Sequence, residues 1–136
     1  MAAYRDDLVE ELRAHDGQVS SGPFAGKPLL ILTTTGARSG ETRTAPVIYT
    51  RDGKRYVVVA SKGGAPTHPA WYHNLRANPI VEVEVGGERF RARAEPVTDP
   101  ERRRRLYDQQ VAVLPGFAEY ERRTPRRIPV ITLEPI

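Results

Sequence analysis

The sequence predicts an α+β fold, a small and partly open barrel of about six mainly antiparallel strands with flanking helices. Short apolar and β-branched runs follow one another through hairpin turns, which favours antiparallel pairing over the alternating strand–helix order of a doubly wound sheet. One segment with helical signals interrupts the strands midway. At 136 residues the chain suits one domain, residues 1–136, in which residues 1–27 form an N-terminal helix and a linker.

The first half of the chain supplies one helix and three strands. Tyr4, Leu8 and Leu12 recur at helical spacing and predict an amphipathic N-terminal helix. Residues 17–27 are rich in Gly, Ser and Pro and predict a linker. The runs PLLILTTT, TAPVIYT and RYVVVA predict three strands, and the DG pair at residues 52–53 predicts a hairpin between the second and third.

The most specific pattern is IVEVEVGGERFRARA, which predicts a hairpin in one register. If the two glycines form a two-residue turn, one face of the ladder is apolar and the other carries opposite charges directly across it. A shift of one residue would spoil both faces. The predicted facing pairs are Val85 with Glu88, Val83 with Phe90, Val81 with Ala92, Glu84 with Arg89, and Glu82 with Arg91.

Helical signals appear in three further segments. In HPAWYHNLRANP, Pro69 suits the first helical position, and Trp71 and Leu75 share one face. In TDPERRRRLYDQQVAVL, Thr98 or Asp99 caps the helix, and Glu101 is placed for a capping box with Thr98. FAEYERR follows a Pro-Gly break as a short helix, and IPVITLEP is the final strand.

Composition excludes several classes of protein. The absence of cysteine excludes disulfides, thiolate metal sites and cysteine nucleophiles, and it agrees with a cytoplasmic location. No apolar run is long enough to span a membrane, and the N-terminus lacks the apolar core of a signal peptide. The net charge of +4 favours acidic partners, but the few aromatic residues do not alternate with basic ones, so we expect no nucleic-acid partner.

No hydrolytic or metal site is predicted either. Neither Ser39 nor Ser61 has a placed histidine and carboxylate, and His68 and His73 are five residues apart, which does not put both on one helix face.

Two glycine-rich turns could each bind an anion. TTTGARSG connects two strands, so it is neither a Walker loop nor a Rossmann turn. Its backbone N–H groups, with Arg38, the Ser39 hydroxyl and Arg43, are donors for an anion. An exposed hairpin turn with solvated arginines is the alternative. ASKGGAPTHP places Ser61, Lys62 and two glycines before a helix N-terminus, and a barrel can bring both turns to one cleft.

Three motifs together, LLILTTTGARSGETRTAPVIY, ASKGGAP…HPAWYHNLRANP and YERRT…RRIPVITLEP, resemble the deazaflavin-dependent nitroreductase family of actinobacteria and related organisms. The resemblance spans roughly Leu29 to Pro135. It implies a split β-barrel like those of flavin reductases and pyridoxamine oxidases. It also implies coenzyme F-420, an 8-hydroxy-5-deazaflavin, as the hydride donor for reducing a small organic acceptor such as a quinone or nitro compound. An FMN-binding oxidoreductase of the same fold and a non-catalytic F-420 binding protein remain alternatives.

The resemblance also implies a role for each matching residue. The turn at residues 38–40 with Arg43 would hold the phosphate of F-420, and residues 62–64 would contact the phosphate or the linker. Residues 46–48 would lie along the ring, and residues 60–61 would line its reactive face. In the helix that follows, Trp71 would pack and Asn74 would make a supporting hydrogen bond. The predicted cofactor-binding residues are Arg38, Ser39, Gly40, Arg43, Pro46, Val47, Ile48, Ala60, Ser61, Lys62, Gly63, Gly64, Trp71 and Asn74.

The same resemblance implies an apolar substrate pocket. Members that reduce bulky nitroaromatics tend to carry tyrosines there, whereas Ile48, Leu114 and Phe117 stand at those positions and only Tyr120 is retained. Ser61 would orient the acceptor, and Tyr120 or water would deliver a proton. Ala37 replaces a basic residue of the phosphate turn.

The arginine run, the partners and the oligomeric state each allow more than one interpretation. The RRRR run at residues 102–105 is either a solvated helix face or a contact for the glutamate tail of F-420. The expected partner is a small-molecule acceptor, and peripheral contact with a membrane is an open alternative. We expect a cytoplasmic protein that is a monomer or a weak homodimer.

Overall fold

The computed structural model describes residues 2–20 and 24–136, with side chains from residue 8 onward. This part of the chain forms four α-helices, namely α1 (Ala2–Ala14), α2 (Ala70–Ala77), α3 (Pro100–Val113) and α4 (Gly116–Arg123). It also forms seven strands and one 3-10 turn (Lys62–Gly64). The strands are β1 (Leu29–Thr35), β2 (Thr42–Ile48), β3 (Thr50–Asp52), β4 (Arg55–Val59), β5 (Ile80–Val85), β6 (Glu88–Pro96) and β7 (Val130–Pro135).

All seven strands form one antiparallel sheet in the order β2-β1-β5-β6-β7-β4-β3. Its two edge strands, β2 and β3, are consecutive in the chain and are separated only by Tyr49. The sheet therefore curls back on itself, which confirms the predicted α+β split barrel. The segment TAPVIYT, predicted as one strand, is divided at Tyr49 because its first part pairs with β1 and its last part with β4.

The β5–β6 hairpin has the predicted register at every pair. Val81, Val83 and Ala92 are buried on its apolar face, as the pattern requires. The charges on the other face pair differently, because α1 supplies a better partner. Arg13 binds Glu84 through Nε–Oε1 (3.0 Å) and Nη2–Oε2 (2.8 Å), and Arg89 contacts Glu82 diagonally.

Three local predictions need correction. Pro69 is the N-cap of α2 with extended backbone (φ −67°, ψ 154°), so the helix begins one residue later. Asp99 rather than Thr98 caps α3, because its carboxylate accepts from the N–H of Arg102 at 3.0 Å. That leaves no capping box with Glu101. In the β3–β4 hairpin the turn residues are 53 and 54, one position beyond the predicted DG pair.

The predicted N-terminal helix is present as α1, where Leu12 is buried and Leu8 is partly buried against the core. The side chain of Tyr4 lies outside the described residues. In the predicted linker, the described residues 17–20 and 24–27 contain no helix or strand.

Two hydrophobic cores lie on opposite faces of the sheet, which explains why β1 reads as an unbroken apolar run. Leu29 and Ile31 pack against α1, α3 and α4, whereas Leu30 and Leu32 point into the barrel with Trp71 and other buried residues. No helix in the described part of the chain is long and apolar enough to cross a membrane.

Candidate functional site

The turn between β1 and β2 is shaped by its own hydrogen bonds. The N–H of Gly36 donates to the carbonyl of Glu41 (2.7 Å), and the N–H of Gly40 donates to the carbonyl of Gly36 (3.0 Å). The Ser39 hydroxyl accepts from the N–H of Glu41 (3.2 Å). A Cβ at Gly36 would lie 2.6 Å from that hydroxyl oxygen, so only glycine leaves the serine in place.

Helix α2 holds this turn from behind through Asn74. The side chain of Asn74 is buried; its Oδ1 accepts from the N–H of Ala37 (3.0 Å) and its Nδ2 donates to Thr34 Oγ1 (3.1 Å). The amide is thus committed to protein partners on both sides. Asn74 therefore positions the turn relative to the end of β1.

A basic cavity of about 680 Å³ opens between this turn and α2, and its lining includes Arg38, Ser39, Arg43, Trp71 and His73. Arg43 pairs with Glu41 at 3.0 Å, and both side chains are exposed. Exposed pairs of this kind contribute little and exchange partners readily. Arg38 makes no ion pair among the side chains that the structure describes, which leaves its guanidinium free for an anion.

The second turn, which follows β4, has a backbone suited to anions. Ser61 is right-handed (φ −79°, ψ −34°) and Lys62 is left-handed (φ 47°). Successive residues of opposite hand turn their N–H groups into one concavity, a known anion-binding arrangement. A left-handed lysine is strained, and strain of this kind concentrates at functional sites. The ammonium of Lys62 lies 3.3 Å from Thr67 Oγ1.

Gly64 seats this turn on α4. A Cβ at Gly64 would lie 2.9 Å from the carbonyl oxygen of Tyr120 and 3.0 Å from Cβ of Arg123. The turn and the helix therefore approach each other more closely than any side chain would allow. This contact brings Ser61 and Lys62 to the same cavity as Phe117 and Tyr120.

That second cavity, of about 720 Å³, is mainly apolar. It is lined by all four predicted substrate residues, and Trp71 lines both this cavity and the basic one. The two cavities therefore meet at Trp71. The lining of the apolar cavity is Leu8, Phe24, Leu29, Pro46, Val47, Ile48, Val59, Ser61, Lys62, Gly63, Pro69, Trp71, Leu114, Phe117 and Tyr120.

Three predicted cofactor residues line neither cavity. Ala60 is fully buried in the barrel core, Gly40 closes the first turn with φ 72°, and Gly64 packs against α4. These three residues determine the path of the backbone around the cavities and do not line them. The pattern of glycines and alanine in the sequence did not distinguish residues that line a cavity from residues that shape its walls.

Helix α4 is anchored to α3 by a buried phenol. Tyr107 donates from its hydroxyl to the carbonyl of Phe117 at 2.6 Å, and burial raises the pKa of Tyr107 to about 12. The phenol therefore remains a neutral donor. The Phe117 ring in turn packs against the Tyr120 ring, with centroids 5.1 Å apart.

The arginine run of α3 has structural partners. Arg102 and Arg105 lie 3.0 and 3.7 Å from Asp52, and Arg104 pairs with Asp108 and Glu121 at 2.8 and 2.9 Å. Arg103 is buried and donates twice to the carbonyl of Ile128. The interpretation as a wholly solvated face is wrong for Arg103, and none of the four lines either cavity.

One residue of the site lies in the third motif, but the sequence predicted no role for it. Arg126 follows α4, and its guanidinium donates to the carbonyls of Ala60, Ser61 and Ala65 in the second turn and its flanks. These contacts join positions more than 60 residues apart, and no local spacing could have indicated them. The spacing of His73 in the sequence does not predict a role in binding, yet this residue lines the basic cavity.

Comparison with known proteins places this geometry in a family. Residues 5–135 match the family profile described as F420H(2)-dependent quinone reductase. An F420H(2)-dependent quinone reductase of Mycobacterium tuberculosis is 42% identical over 134 residues, which cover 92% of this chain and 90% of that protein.

Two solved structures are similar in both fold and sequence. The F420-H2 dependent reductase FDR-A has a TM-score of 0.71 and 40% identity, over 79% of this chain and 94% of that one. A second structure, described as a domain-swapped dimer, has a TM-score of 0.72 and 36% identity, over 95% and 98%. With the profile match over nearly its whole length, the chain belongs to the F420H(2)-dependent quinone reductase family.

Proposed function

We propose that this protein is an oxidoreductase that uses reduced F-420 to reduce a small acceptor of the quinone type. The observation that carries the proposal is the pair of cavities that meet at Trp71, one basic and one apolar, each bordered by a glycine-rich turn with free donors. Membership of the family supports the choice of cofactor. FMN is the less favoured alternative.

The residues present fit a cofactor with a charged tail and a flat ring. Arg38 and Arg43 would bind the phosphate, with Arg43 exchanging Glu41 for it. The N–H groups of the second turn and the Lys62 ammonium would bind the phosphate or the linker. Trp71, between the two cavities, would pack where tail and ring join.

The ring would lie along β2, which is an edge of the sheet. On an edge strand the outward main-chain groups have no ladder partner and are free for a ligand. The carbonyl of Ile48 already accepts from Gln110 Nε2 (3.3 Å), a contact that fixes the end of the strand. Main-chain groups alternate in direction along an antiparallel strand: Tyr49 bonds to Pro28 on the β1 side and Ile48 faces away, so Val47 again faces β1. Pro46, which lines the apolar cavity and has no N–H, therefore offers its carbonyl as the free main-chain group.

When bound, F-420 supplies a hydride from ring carbon C5, and the protein supplies binding, orientation and exclusion of water. The Ser61 side chain is buried at the cavity wall, and its hydroxyl has no protein partner within residues 8–20 and 24–136. That hydroxyl would orient a carbonyl of the acceptor. Tyr120, half-buried in the same cavity, or water would deliver the proton.

The walls of the apolar cavity favour quinones over nitro compounds. Ile48, Leu114 and Phe117 offer no hydrogen bonds, so an acceptor gains mainly from burying a flat apolar ring. The donors that remain, on Ser61 and Tyr120, are enough for the two carbonyls of a quinone.

Oligomeric state and location belong to the same proposal. Among the described side chains, Ile136 alone is a large and well-exposed hydrophobic residue, which supports a monomer or weak homodimer. A cytoplasmic location, with peripheral contact to a membrane as the alternative, is proposed on the sequence alone.

The test is a fluorescence titration with F-420 and FMN in parallel, followed by steady-state reduction of menadione with reduced F-420 saturating. We expect F-420 to bind more tightly than FMN and menadione to be reduced. Equal or tighter binding of FMN would contradict the cofactor assignment. Tight binding of F-420 without reduction of any quinone would instead indicate a binding protein.

A further inference from the structure

All five N–H groups of Arg126 are used on a single loop. Nε donates to the carbonyl of Ala65 (2.9 Å) and Nη2 to that of Ser61 (2.8 Å). Both Nη atoms reach the carbonyl of Ala60 at 3.3 Å, and the remaining N–H of Nη1 lies on Nδ1 of His68 at 2.8 Å. The guanidinium therefore clamps the loop from residue 60 to residue 68.

This clamp comes at a cost in electrostatic free energy. Arg126 is partly buried, and burial lowers its pKa. No carboxylate in the described part of the chain lies within ion-pair distance of it, so neutral acceptors, three carbonyls and the His68 ring nitrogen, offset the loss of hydration. What the guanidinium supplies in return is a fixed shape of the loop, through its hydrogen bonds to residues 60, 61, 65 and 68.

The clamp determines where the N–H groups of the loop point. In a trans peptide the C=O and N–H of one unit point in opposite directions. Because the carbonyls of Ala60 and Ser61 point at Arg126, the N–H groups of Ser61 and Lys62 point away from it. Ser61 and Lys62 line the apolar cavity, whereas Arg126 does not.

We propose that Arg126 is a positioning residue for the cofactor: it orients the N–H groups of Ser61 and Lys62 for binding, and it does so fully only while His68 is neutral. The proposal rests on the proposed function, since it assumes that F-420 binds in the cleft.

The role of His68 follows from hydrogen-bond chemistry. Arginine is a donor only, so Nδ1 of His68 must be an unprotonated acceptor in this contact. Burial, and then the charge of Arg126, lower the pKa of His68. The other groups that face the ring are Tyr72 and His73 of α2, with ring centroids at 4.7 and 5.7 Å. Protonation of His68 would remove the acceptor and place a second cation against Arg126.

The main experiment measures F-420 affinity by fluorescence from pH 5 to 8 in the wild type and three variants. Arg126→Lys should weaken binding by about tenfold or more at pH 7.5, because an ammonium has three donors and cannot serve four acceptors. His68→Asn should keep the affinity at pH 7.5 and remove the loss seen in the wild type at lower pH. Arg127→Lys, an identical change at an exposed neighbour, should change nothing. Every variant keeps His73, so this residue does not distinguish one variant from another.

A second readout needs no cofactor. Amide hydrogen exchange in the free protein should accelerate in Arg126→Lys within residues 60–68, and not elsewhere. Acceleration throughout the molecule would reduce Arg126 to a general structural role and overturn the proposal.

The outcomes separate the two proposals. If the wild type binds no F-420, the proposed function fails and the positioning role fails with it. If the wild type binds F-420 and Arg126→Lys binds as well as Arg127→Lys, the positioning role alone is wrong. If His68→Asn keeps the pH dependence of the wild type, His68 has no part in it.

Discussion

The two arginines of the first turn differ in whether they have an ion-pair partner. Arg43 is already paired with Glu41, whereas Arg38 has no ion-pair partner among the described side chains. We expect Arg38→Ala to raise the Kd for F-420 by about one to two decades, because a charge-assisted contact is worth roughly 1.5–3 kcal/mol. The melting temperature of the free protein should barely move, since Arg38 is exposed. Fluorescence titration and thermal unfolding measure the two quantities.

The matched control is Arg127→Ala, which removes another exposed guanidinium, outside both cavities. It should leave the affinity for F-420 nearly unchanged. A lower melting temperature in Arg38→Ala with an unchanged Kd would make Arg38 a structural residue and refute its role in the phosphate site.

Phe117 tests the substrate pocket at the same scale. Its ring is buried at the wall of the apolar cavity, beside Tyr120 and Leu114. Phe117→Tyr adds one donor to a wall that has few, so the ratio of kcat/KM for a nitroimidazole to that for menadione should rise. The wild type should favour menadione. Both acceptors are measured in both proteins with reduced F-420 saturating.

Val59, at the wall of the same cavity, provides the control, since Val59→Ile changes its volume without adding a donor. An equal rise in the ratio for both variants would show that shape rather than hydrogen bonding decides between acceptors. No change in Phe117→Tyr would show that the acceptor does not contact this position.

At the scale of elements, the contact between the second turn and α4 depends on Gly64. Both Gly63 and Gly64 have positive φ, 63° and 82°, so either alanine variant should lose about 1–2 kcal/mol of stability to backbone strain. At Gly63 a Cβ meets nothing within 4 Å, whereas at Gly64 it meets the carbonyl of Tyr120 at 2.9 Å. We therefore expect Gly64→Ala to lose a further 1–3 kcal/mol or so, the typical cost of overpacking.

Urea unfolding of the two alanine variants measures this difference, and Gly63→Ala serves as the control for strain. The F-420 affinity of Gly64→Ala should also fall, because α4 and the turn must separate. Equal free energies of unfolding in the two variants would show that the close approach of turn and helix has no energetic importance.

Elements specified by local rules were predictable from the sequence. The β5–β6 hairpin has a two-residue turn and two faces of opposite character, so only one register satisfies it. The division of TAPVIYT at Tyr49 was not predictable, because it reflects which distant strands its two halves pair with. Pro69 was placed one residue too far into α2, whereas Asp99, the cap of α3, was one of the two adjacent candidates that the sequence offered.

The candidate site shows the same division between local and distant information. The motifs indicated the turns around Arg38 and Lys62, because glycines and basic residues are visible in sequence. The contacts of Arg126, and the burial of Arg103 within a run of four arginines, depend on the tertiary fold. Residues that support a binding site through contacts distant in sequence cannot be identified from the spacing of neighbouring residues.

At the scale of the whole molecule, the site lies where the two edges of the sheet meet. The chain leaves β2 and enters β3 at Tyr49, and α3 covers this junction through Gln110 and Gln109, which donate to carbonyls of Ile48 and Arg51. The apolar cavity is bordered by β2, the second turn and α4. Because several elements converge there, changes in their packing should reach the site.

The last prediction concerns how the contacts between elements respond to pH. The pKa values of Glu84 and Asp52 are lowered by hydrogen bonds from Arg13 and Arg102. Groups with a lowered pKa stabilise the fold above their ordinary values, 4.5 and 3.8, and the stabilisation is lost as the pH falls through the folded values. The pKa of His68 is also lowered, from 6.5, so its contribution is lost over a higher range of pH, below 6.5.

We therefore expect the free energy of unfolding to decline in two stages on acidification, one below about pH 6.5 and a steeper one below about pH 4.5. Urea unfolding at pH 7.5, 5.5 and 3.5 measures both stages. His68→Asn should abolish the first stage, because an amide does not titrate, and leave the second. Glu84→Gln should lower the stability at pH 7.5 and make the second stage shallower, since α1 then loses its ion pair with β5 at every pH. A wild type equally stable at pH 7.5 and 5.5 would refute the assignment of His68 as a neutral acceptor held by Arg126.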